Sequence, residues 1–156
     1  MKISDFLHSK AVTADLKAAT KKEVIEELVD ILIDAGVLDK KIKTKLIEIL
    51  LAREALGSTA IGQGIAIPHG KCENVAKMVA ARGVSKQGID FDSLDGEPAH
   101  IFFLLVAPID SAGPHLKALA RISRLLKDKY FREHLKTAKD EKAILKLVTQ
   151  EDGQIF

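Results

Sequence analysis

The feature that most constrains the fold is a run of seven apolar residues, Ile101 to Ala107, between His100 and Pro108. A strand with one face in water alternates apolar and polar residues, whereas this run has no polar position. We therefore predict a strand that is buried on both faces. Because a membrane-spanning helix needs roughly 20 apolar residues, the same run does not predict a membrane segment.

Four other segments repeat apolar residues at the spacing of one helix face. These predicted helices cover residues 20–36, 42–53, 111–126 and 140–148. The first is the best marked, because Thr20 and Glu23 form a capping box at its start and Gly36 suits its end. Asp140 is the expected N-cap of the last helix, and Pro114 suits the first turn of the third.

Further strands are predicted at Ile65–Ile67, ending at Pro68-His69, and at Met78–Val84, with a short edge strand at Ile89–Phe91 and a turn at Asp95-Gly96. Helices before the strands and helices after them give the fold class α/β. We expect a single domain over residues 1–156, with a mixed β-sheet flanked by helices on both faces. The strand order does not follow from these patterns.

Composition excludes several classes of function. The 24 basic and 22 acidic residues give a formal net charge of +2, too balanced to indicate nucleic-acid binding. Aromatic residues make up 4% of the chain and Trp is absent, so no platform for base stacking is predicted. The single Cys72 forms no intramolecular disulfide, and residues 1–10 lack the apolar stretch of a signal peptide. We expect a cytoplasmic protein with no nucleic-acid partner and no direct membrane insertion.

The strongest chemical signal is a segment with four glycines within fourteen residues, from Gly57 to Gly70. His69 lies near its end, between Pro68 and Gly70, where Pro restricts the approach of the chain and Gly removes side-chain bulk. An accessible histidine in such a loop is a candidate nucleophile at neutral pH, because its unperturbed pKa is about 6.5.

Four other side chains are candidates for the same site. His115 falls in the first turn of the third predicted helix, where the helix dipole favours an anion and disfavours an imidazolium. Arg53 offers a planar fork of donors that matches phosphate, and Ser58 and Thr59 offer hydroxyls. Each has a simpler alternative: His115 can cap its helix, Arg53 can complement the dipole of its own helix, and the two hydroxyls can satisfy loop backbone groups.

Residues 56–70 resemble the active-site signature of the fructose/mannitol IIA family of the phosphoenolpyruvate-dependent sugar phosphotransferase system. Residues 91–98 resemble the turn before the central strand of that family, and residues 101–108 resemble the strand itself. Residues 115–120 resemble the helix that carries a second histidine. The resemblance covers nearly the whole chain, with Ala60 as a departure at a position where glycine is common.

The resemblance implies a phosphotransferase that works without a cofactor or a metal. His69 would accept a phosphoryl group on Nε2, as tele-phosphohistidine, from the carrier HPr or NPr, and would pass it to a cysteine of an EIIB component. The positions of His115 and Arg53 would line the same site, as orienting and charge-stabilising groups. Ser58, Thr59 and Gly70 would contribute to binding the phosphoryl group.

Two functions within this family stay open. One is a phosphocarrier for sugar uptake, and the other is a nitrogen-regulatory IIA protein, which binds target proteins in a phosphorylation-dependent way. The residues at 57–59 and 64–67, and the lack of fused EIIB or EIIC parts in this sequence, favour the regulatory subgroup. The sugar, the regulatory target and the oligomeric state are not determined by the sequence.

The remaining histidines give no competing site. His8, His100 and His134 have no supporting spacing, and we expect them to be surface or strand-flanking residues. The pair His69-x-x-Cys72 has the spacing of metal ligands, but no second pair accompanies it, and structural zinc needs four ligands. A metal hydrolase built on His69 and His115 is therefore the weakest alternative.

Overall fold

A mixed β-sheet forms the centre of the computed structural model, which describes residues 2–153. Within that range the sheet has six strands: β1 (Leu7–Thr13), β2 (Ala60–Gly62), β3 (Ile65–Ala66), β4 (His69–Lys71), β5 (Val79–Ile89) and β6 (Ala99–Ala107). The strand order is β1-β5-β6-β3-β2, and β4 also pairs with β6. Strands β1 and β5 are parallel, β5 and β6 antiparallel, and β3 and β4 both run parallel to β6.

The predicted central strand is confirmed. Every residue of β6 except His100 is buried, and its side chains alternate between two separate apolar clusters. Phe102 and Leu104 face one cluster, whereas Phe103 and Leu105 face the other. The strand is therefore the shared wall of two cores, which explains why its sequence has no polar position.

Helices cover both faces of the sheet, as the sequence predicts. The structure has five α-helices among the described residues: α1 (Lys21–Asp34), α2 (Lys43–Ala55), α3 (Ala112–Leu125), α4 (Lys129–Lys136) and α5 (Glu141–Asp152). The first two helices pack on the face of Phe102, and the last three pack on the face of Phe103. None of the helices in residues 2–153 is long and apolar enough to cross a membrane.

The predicted helix signals are confirmed in atomic detail. Thr20 Oγ1 accepts a hydrogen bond from the Glu23 backbone N–H and donates one to the Glu23 carboxylate. Asp140 caps α5 by accepting from Ala143 N at 2.9 Å. Gly36 follows α1 with a φ of 79°, a conformation that glycine adopts without strain.

One local expectation is wrong, and several elements have no signal in the sequence patterns. Strands β1, β2 and β4 were not predicted; β1 lacks regular alternation and becomes a strand by pairing with β5. Helix α4, which has eight residues, was not predicted either. The edge strand expected at Ile89–Phe91 is wrong: Ile89 is the last residue of β5, paired with Ala99, and the chain leaves the sheet before Phe91.

Truncating the centre of the sheet should destabilise the whole protein. Leu104 is fully buried, so Leu104→Ala should lower the free energy of unfolding by about 2–5 kcal/mol. The matched control is Leu94→Ala, because Leu94 is 83% exposed and should change stability little. Urea denaturation followed by circular dichroism measures both variants, and equal midpoints would contradict the central role of this strand.

Candidate active site

His69 is the first residue of β4, although the sequence pattern predicts it at the end of the preceding strand. Strand β3 stops at Ala66, Ile67 and Pro68 step out of regular pairing, and the chain rejoins the sheet with His69 opposite Leu105 of β6. The break has a simple cause, because Pro68 has no N–H to donate; its carbonyl still accepts from Leu105 N at 2.9 Å. The imidazole is therefore fixed to the central strand by backbone pairing.

The orientation of the His69 ring determines which nitrogen can react. Its Nδ1 lies 2.8 Å from the carbonyl oxygen of Ile67. Because a carbonyl oxygen only accepts, Nδ1 must carry the hydrogen, which leaves the lone pair of a neutral ring on Nε2. The side chain is half-buried, and Nε2 is the ring atom whose lone pair stays available for reaction.

The second histidine of the signature lies beside the first. The ring centroids of His69 and His115 are 5.4 Å apart, with an interplanar angle of 83°. His115 lies in the first turn of α3, is 6% exposed, and its Nε2 is buried without a hydrogen-bond partner among the described residues. An unpaired buried nitrogen next to a nucleophile is free to bind a group that arrives at that nucleophile.

Burial keeps both imidazoles neutral. Burial, together with the charges of the neighbouring His69 and Lys71, lowers the pKa of His115 to about 4. Burial also lowers the pKa of His69; the hydrogen bond to Ile67 opposes this shift, Arg53 reinforces it and Glu54 opposes it. At neutral pH the site therefore holds an unprotonated nucleophile beside an uncharged imidazole.

Arg53 and Glu54 lie in the last turn of helix α2 and bind the loop that follows. Arg53 Nη1 donates to the carbonyl oxygen of Gly57 at 2.7 Å, which engages part of its fork of donors. The buried Glu54 carboxylate accepts from the backbone N–H of Thr59 at 2.8 Å. The charge of Arg53 also acts on His69, so the guanidinium lies within electrostatic reach of the nucleophile.

The two candidate hydroxyls are engaged within the loop. Thr59 Oγ1 donates to the Glu54 carboxylate, and Ser58 Oγ donates to the carbonyl oxygen of Phe91 at 2.6 Å. Ser58 Oγ also accepts from the Ala60 backbone N–H at 3.0 Å. In this structure both hydroxyls therefore serve the conformation of the loop and have no hydrogen left for an incoming group.

Glu54 is a neighbour of the site that no sequence pattern indicated. Lys21 Nζ lies 3.1 Å from its second carboxylate oxygen and 2.7 Å from Asp92, and sits 5.0 Å from the centre of the Phe91 ring. This cluster ties α1, α2 and the loop before β6 together. No spacing in the sequence connects these four residues, so only the fold reveals the cluster.

Gly70 and Lys71 complete the strand that carries His69. A methyl group on Gly70 would lie 3.1 Å from Ile49 and 3.4 Å from Leu50, so the glycine lets helix α2 approach β4 closely. Lys71 is two residues after His69 and its charge acts on His115. Residues two apart in a strand lie on the same face, a signal that could have identified Lys71 from the sequence.

The residues around His69 form a candidate nucleophilic site. Within residues 2–153, no group of three or more His, Cys, Asp or Glu side chains is placed to hold a metal ion. The site combines a neutral imidazole nucleophile, a second neutral imidazole and the positive charges of Arg53 and Lys71. Such a site suits transfer of a compact anion to His69 Nε2.

Comparison with known proteins identifies the family of the chain. Residues 5–151 match the family model described as "Phosphoenolpyruvate-dependent sugar phosphotransferase system, EIIA 2". The chain belongs to this EIIA family. The matched segment contains His69, His115 and Arg53, so the geometry above describes the corresponding part of an EIIA domain.

Relatives of this EIIA chain carry two kinds of name. The chain is 40% identical over 144 residues to a nitrogen regulatory protein from Bradyrhizobium diazoefficiens, covering 92% of each chain. It is also 40% identical over 152 residues to the fructose-specific EIIABC component from Bacillus subtilis, and spans 97% of its own length but only 24% of that protein. The nitrogen regulatory protein IIA-Ntr from Neisseria meningitidis superposes with a TM-score of 0.84 at 31% identity, over 94% of this chain and 98% of the other.

The lowered pKa of His115 predicts a loss of stability in acid. In the unfolded chain this histidine takes up a proton as the pH falls through 6.5, whereas in the folded protein it does so only at about 4. Because the unfolded state binds the extra proton between these two values, its contribution destabilises the fold progressively from pH 6.5 down to about 4.

The variant His115→Gln should lose less stability over that pH range than the wild type, because its amide does not titrate. Thermal melts at a series of pH values measure the difference, with His134→Gln as the control at an exposed position. A wild type and a His115→Gln variant with the same pH dependence would show that His115 is not held neutral by the fold.

Proposed function

We propose that this EIIA chain is a phosphocarrier whose His69 Nε2 accepts a phosphoryl group from phosphohistidine on HPr or NPr. The group then passes to a cysteine of an EIIB component, and the site is completed by His115, Arg53 and Lys71. The proposal places this relay in the cytoplasm. It involves no cofactor, no metal and no nucleic acid.

The observation that carries the proposal is the hydrogen bond from His69 Nδ1 to the Ile67 carbonyl oxygen at 2.8 Å. The bond directs the free lone pair to Nε2, so no base has to remove a proton before attack. In the transfer, Nε2 forms a bond to phosphorus in line while the bond from phosphorus to the donor nitrogen breaks. The phosphorylated ring keeps its Nδ1 hydrogen, and the Ile67 carbonyl stabilises the positive charge that the ring acquires.

The charges around His69 match the group it would receive. By analogy with other phosphorylated side chains, the phosphoryl group adds close to two negative charges near neutral pH. Arg53 and Lys71 supply positive charge, and the start of α3 supplies backbone N–H groups that no side chain caps. Because phosphoryl transfer depends mainly on positioning and charge stabilisation, these groups are the expected catalysts.

His115 is suited to hold the phosphoryl oxygens. Its Nε2 is buried without a hydrogen-bond partner among the described residues, and its ring centroid lies 5.4 Å from that of His69. The neutral ring can donate one hydrogen bond. A neutral donor stabilises the phosphoryl group without trapping it in an ion pair, which favours release to the next carrier.

Ser58 and Thr59 are expected to shape the loop, and a role in direct phosphoryl binding requires their hydroxyls to change partners.

The surroundings of the site favour protein partners. Leu56 is 86% exposed directly after α2, and Leu116, the residue after His115, is 69% exposed. Ile61 and Ile109 are about half exposed on neighbouring segments. Large apolar side chains in water next to a reactive group are typical of a transient docking surface.

A second function, phosphorylation-dependent regulation, is favoured by the relatives. A nitrogen regulatory protein matches this chain over 92% of both lengths, and another superposes with a TM-score of 0.84. In that function the same phosphohistidine would alter the docking surface and so select target proteins. Rapid transfer from the phosphorylated protein to purified EIIB favours sugar uptake, whereas phosphorylation by NPr without such transfer favours regulation.

Replacing the nucleophile should abolish phosphorylation. We expect His69→Ala to accept no phosphoryl group from phosphorylated HPr or NPr, because no other nitrogen occupies the position of Nε2. The control His134→Ala removes an exposed histidine on α4 and should be phosphorylated like the wild type. Intact-mass and peptide mass spectrometry measure both, and a His69→Ala variant labelled to the wild-type level would refute the assignment.

Replacing the second histidine should separate the two half-reactions. We expect His115→Ala to accept the phosphoryl group but to transfer it onward about a hundredfold more slowly, the loss typical when a hydrogen-bond donor to the transition state is removed. His115→Gln keeps an N–H donor and should lose less. Single-turnover transfer to EIIB measures these rates, and an unchanged rate in His115→Ala would exclude the proposed role.

A further inference from the structure

A buried arginine without a counterion among the described residues lies on the central part of the sheet, away from His69. Arg82 belongs to β5, paired with Val12 of β1 on one side and with Phe103 of β6 on the other. Its side chain is on the face of Ala80 and Val84, both of which belong to an apolar core. The residue is 2% exposed, a position at which an apolar side chain would be expected.

The guanidinium of Arg82 is unsatisfied within the described residues. Nε, Nη1 and Nη2 are all buried without a hydrogen-bond partner. A buried charge normally has an ion pair and hydrogen bonds, because moving an unpaired ion out of water costs several kcal/mol. Burial alone lowers the pKa of Arg82 to about 9, so the side chain is still a cation at neutral pH.

This guanidinium lines a cavity of about 280 Å³ between β1, β5 and α5. Apolar side chains form part of the wall, namely Ile3, Leu7, Leu145 and Val148. The exposed residues Lys2, Ser4, Ser9 and Thr149 also line the cavity, so it opens to water on that side. The volume is just below the range for small-molecule sites, which is roughly 300–1,000 Å³.

The carboxylate in the described lining does not neutralise Arg82. Asp152 accepts from the Ile3 backbone N–H at 2.9 Å with one oxygen and from Arg121 Nε at 2.6 Å with the other. Arg121 also donates to the Asp152 backbone carbonyl at 2.9 Å. Both carboxylate oxygens of Asp152 therefore already accept hydrogen bonds from other donors. The positive charge of Arg82 is available to a group that enters the cavity.

We propose that this cavity binds a small carboxylate with a branched apolar body, held by a two-pronged hydrogen bond from Arg82. A planar guanidinium presents parallel N–H groups that match the two oxygens of a carboxylate. Ile3, Leu7, Leu145 and Val148 would contact the apolar body. The site lies on the β1 side of β5, whereas His69 lies on β4 beyond β6, so this ligand does not compete for the phosphoryl group.

The test uses isovalerate as the probe and isovaleramide as its uncharged counterpart of the same shape. Both are titrated into the full-length ¹⁵N-labelled protein, and amide shifts are followed by two-dimensional NMR. We expect millimolar isovalerate to shift the amides of residues 3–9, 82 and 145–153 but not those around His69, and isovaleramide to leave them unchanged. Equal shifts with both probes, or no shift with isovalerate, would overturn the proposal.

Two variants test the role of the arginine itself. Arg82→Met keeps an apolar stem of similar length and should weaken isovalerate binding about tenfold or more, the loss expected for a charged hydrogen bond. Arg82→Lys keeps the positive charge but lacks the planar fork of donors, so its affinity for isovalerate should lie between those of Arg82→Met and the wild type. Undiminished binding by Arg82→Met, with a native-like spectrum, would overturn the proposal.

Inorganic phosphate distinguishes the two anion chemistries. If phosphate shifts the amides around Arg82 and isovalerate does not, the cavity is a phosphate site and the carboxylate proposal is wrong. Phosphorylation of Arg82→Met by HPr or NPr should match that of the wild type, because Arg82 is not part of the His69 site. This measurement separates a failure of the cavity proposal from a failure of the phosphocarrier proposal.

Discussion

Pairing of β6 on both of its edges is the constraint on which the rest of the structure depends. The strand is antiparallel to β5 on one edge and parallel to β3 and β4 on the other, and its side chains fill two cores. Because a strand buried on both faces needs a layer on each side, α1 and α2 must cover one face and the later helices the other. His69 is positioned by the same pairing, opposite Leu105.

The loop before His69 depends on a buried carboxylate. Glu54 accepts two hydrogen bonds from Thr59, and its carboxylate lies 3.1 Å from Lys21 Nζ. Arg53, in the same helix turn, donates a hydrogen bond to the Gly57 carbonyl oxygen. A buried carboxylate is stable only with such partners, so the loop and the helix end stabilise each other. The sequence predicts that the Thr59 hydroxyl binds the phosphoryl group, but in the structure this hydroxyl donates to Glu54.

Sequence reasoning succeeded where local patterns and the fold agreed. The Thr20 capping box, the Asp140 N-cap and the apolar β6 run all have structures that neighbouring residues determine. It failed at β1 and α4, because a strand without alternation exists only through its pairing with β5, and an eight-residue helix is too short for a reliable pattern. At the site, the signature selected His69 and His115, but the clusters around Glu54 and Arg82 join segments that no motif connects.

The sequence by itself determined the central strand, helices on both faces of a mixed sheet, and the pair of histidines within a family signature. Apolar periodicity and capping depend on residues close together in the chain, so the sequence is enough to predict the elements they define. Only the tertiary structure decided that Nε2 of His69 is the free nitrogen, that the two rings lie 5.4 Å apart, and that Arg82 has no counterion among the described residues. The ring spacing and the missing counterion depend on distances between residues far apart along the chain. The free Nε2 depends on a ring orientation that only the folded structure fixes.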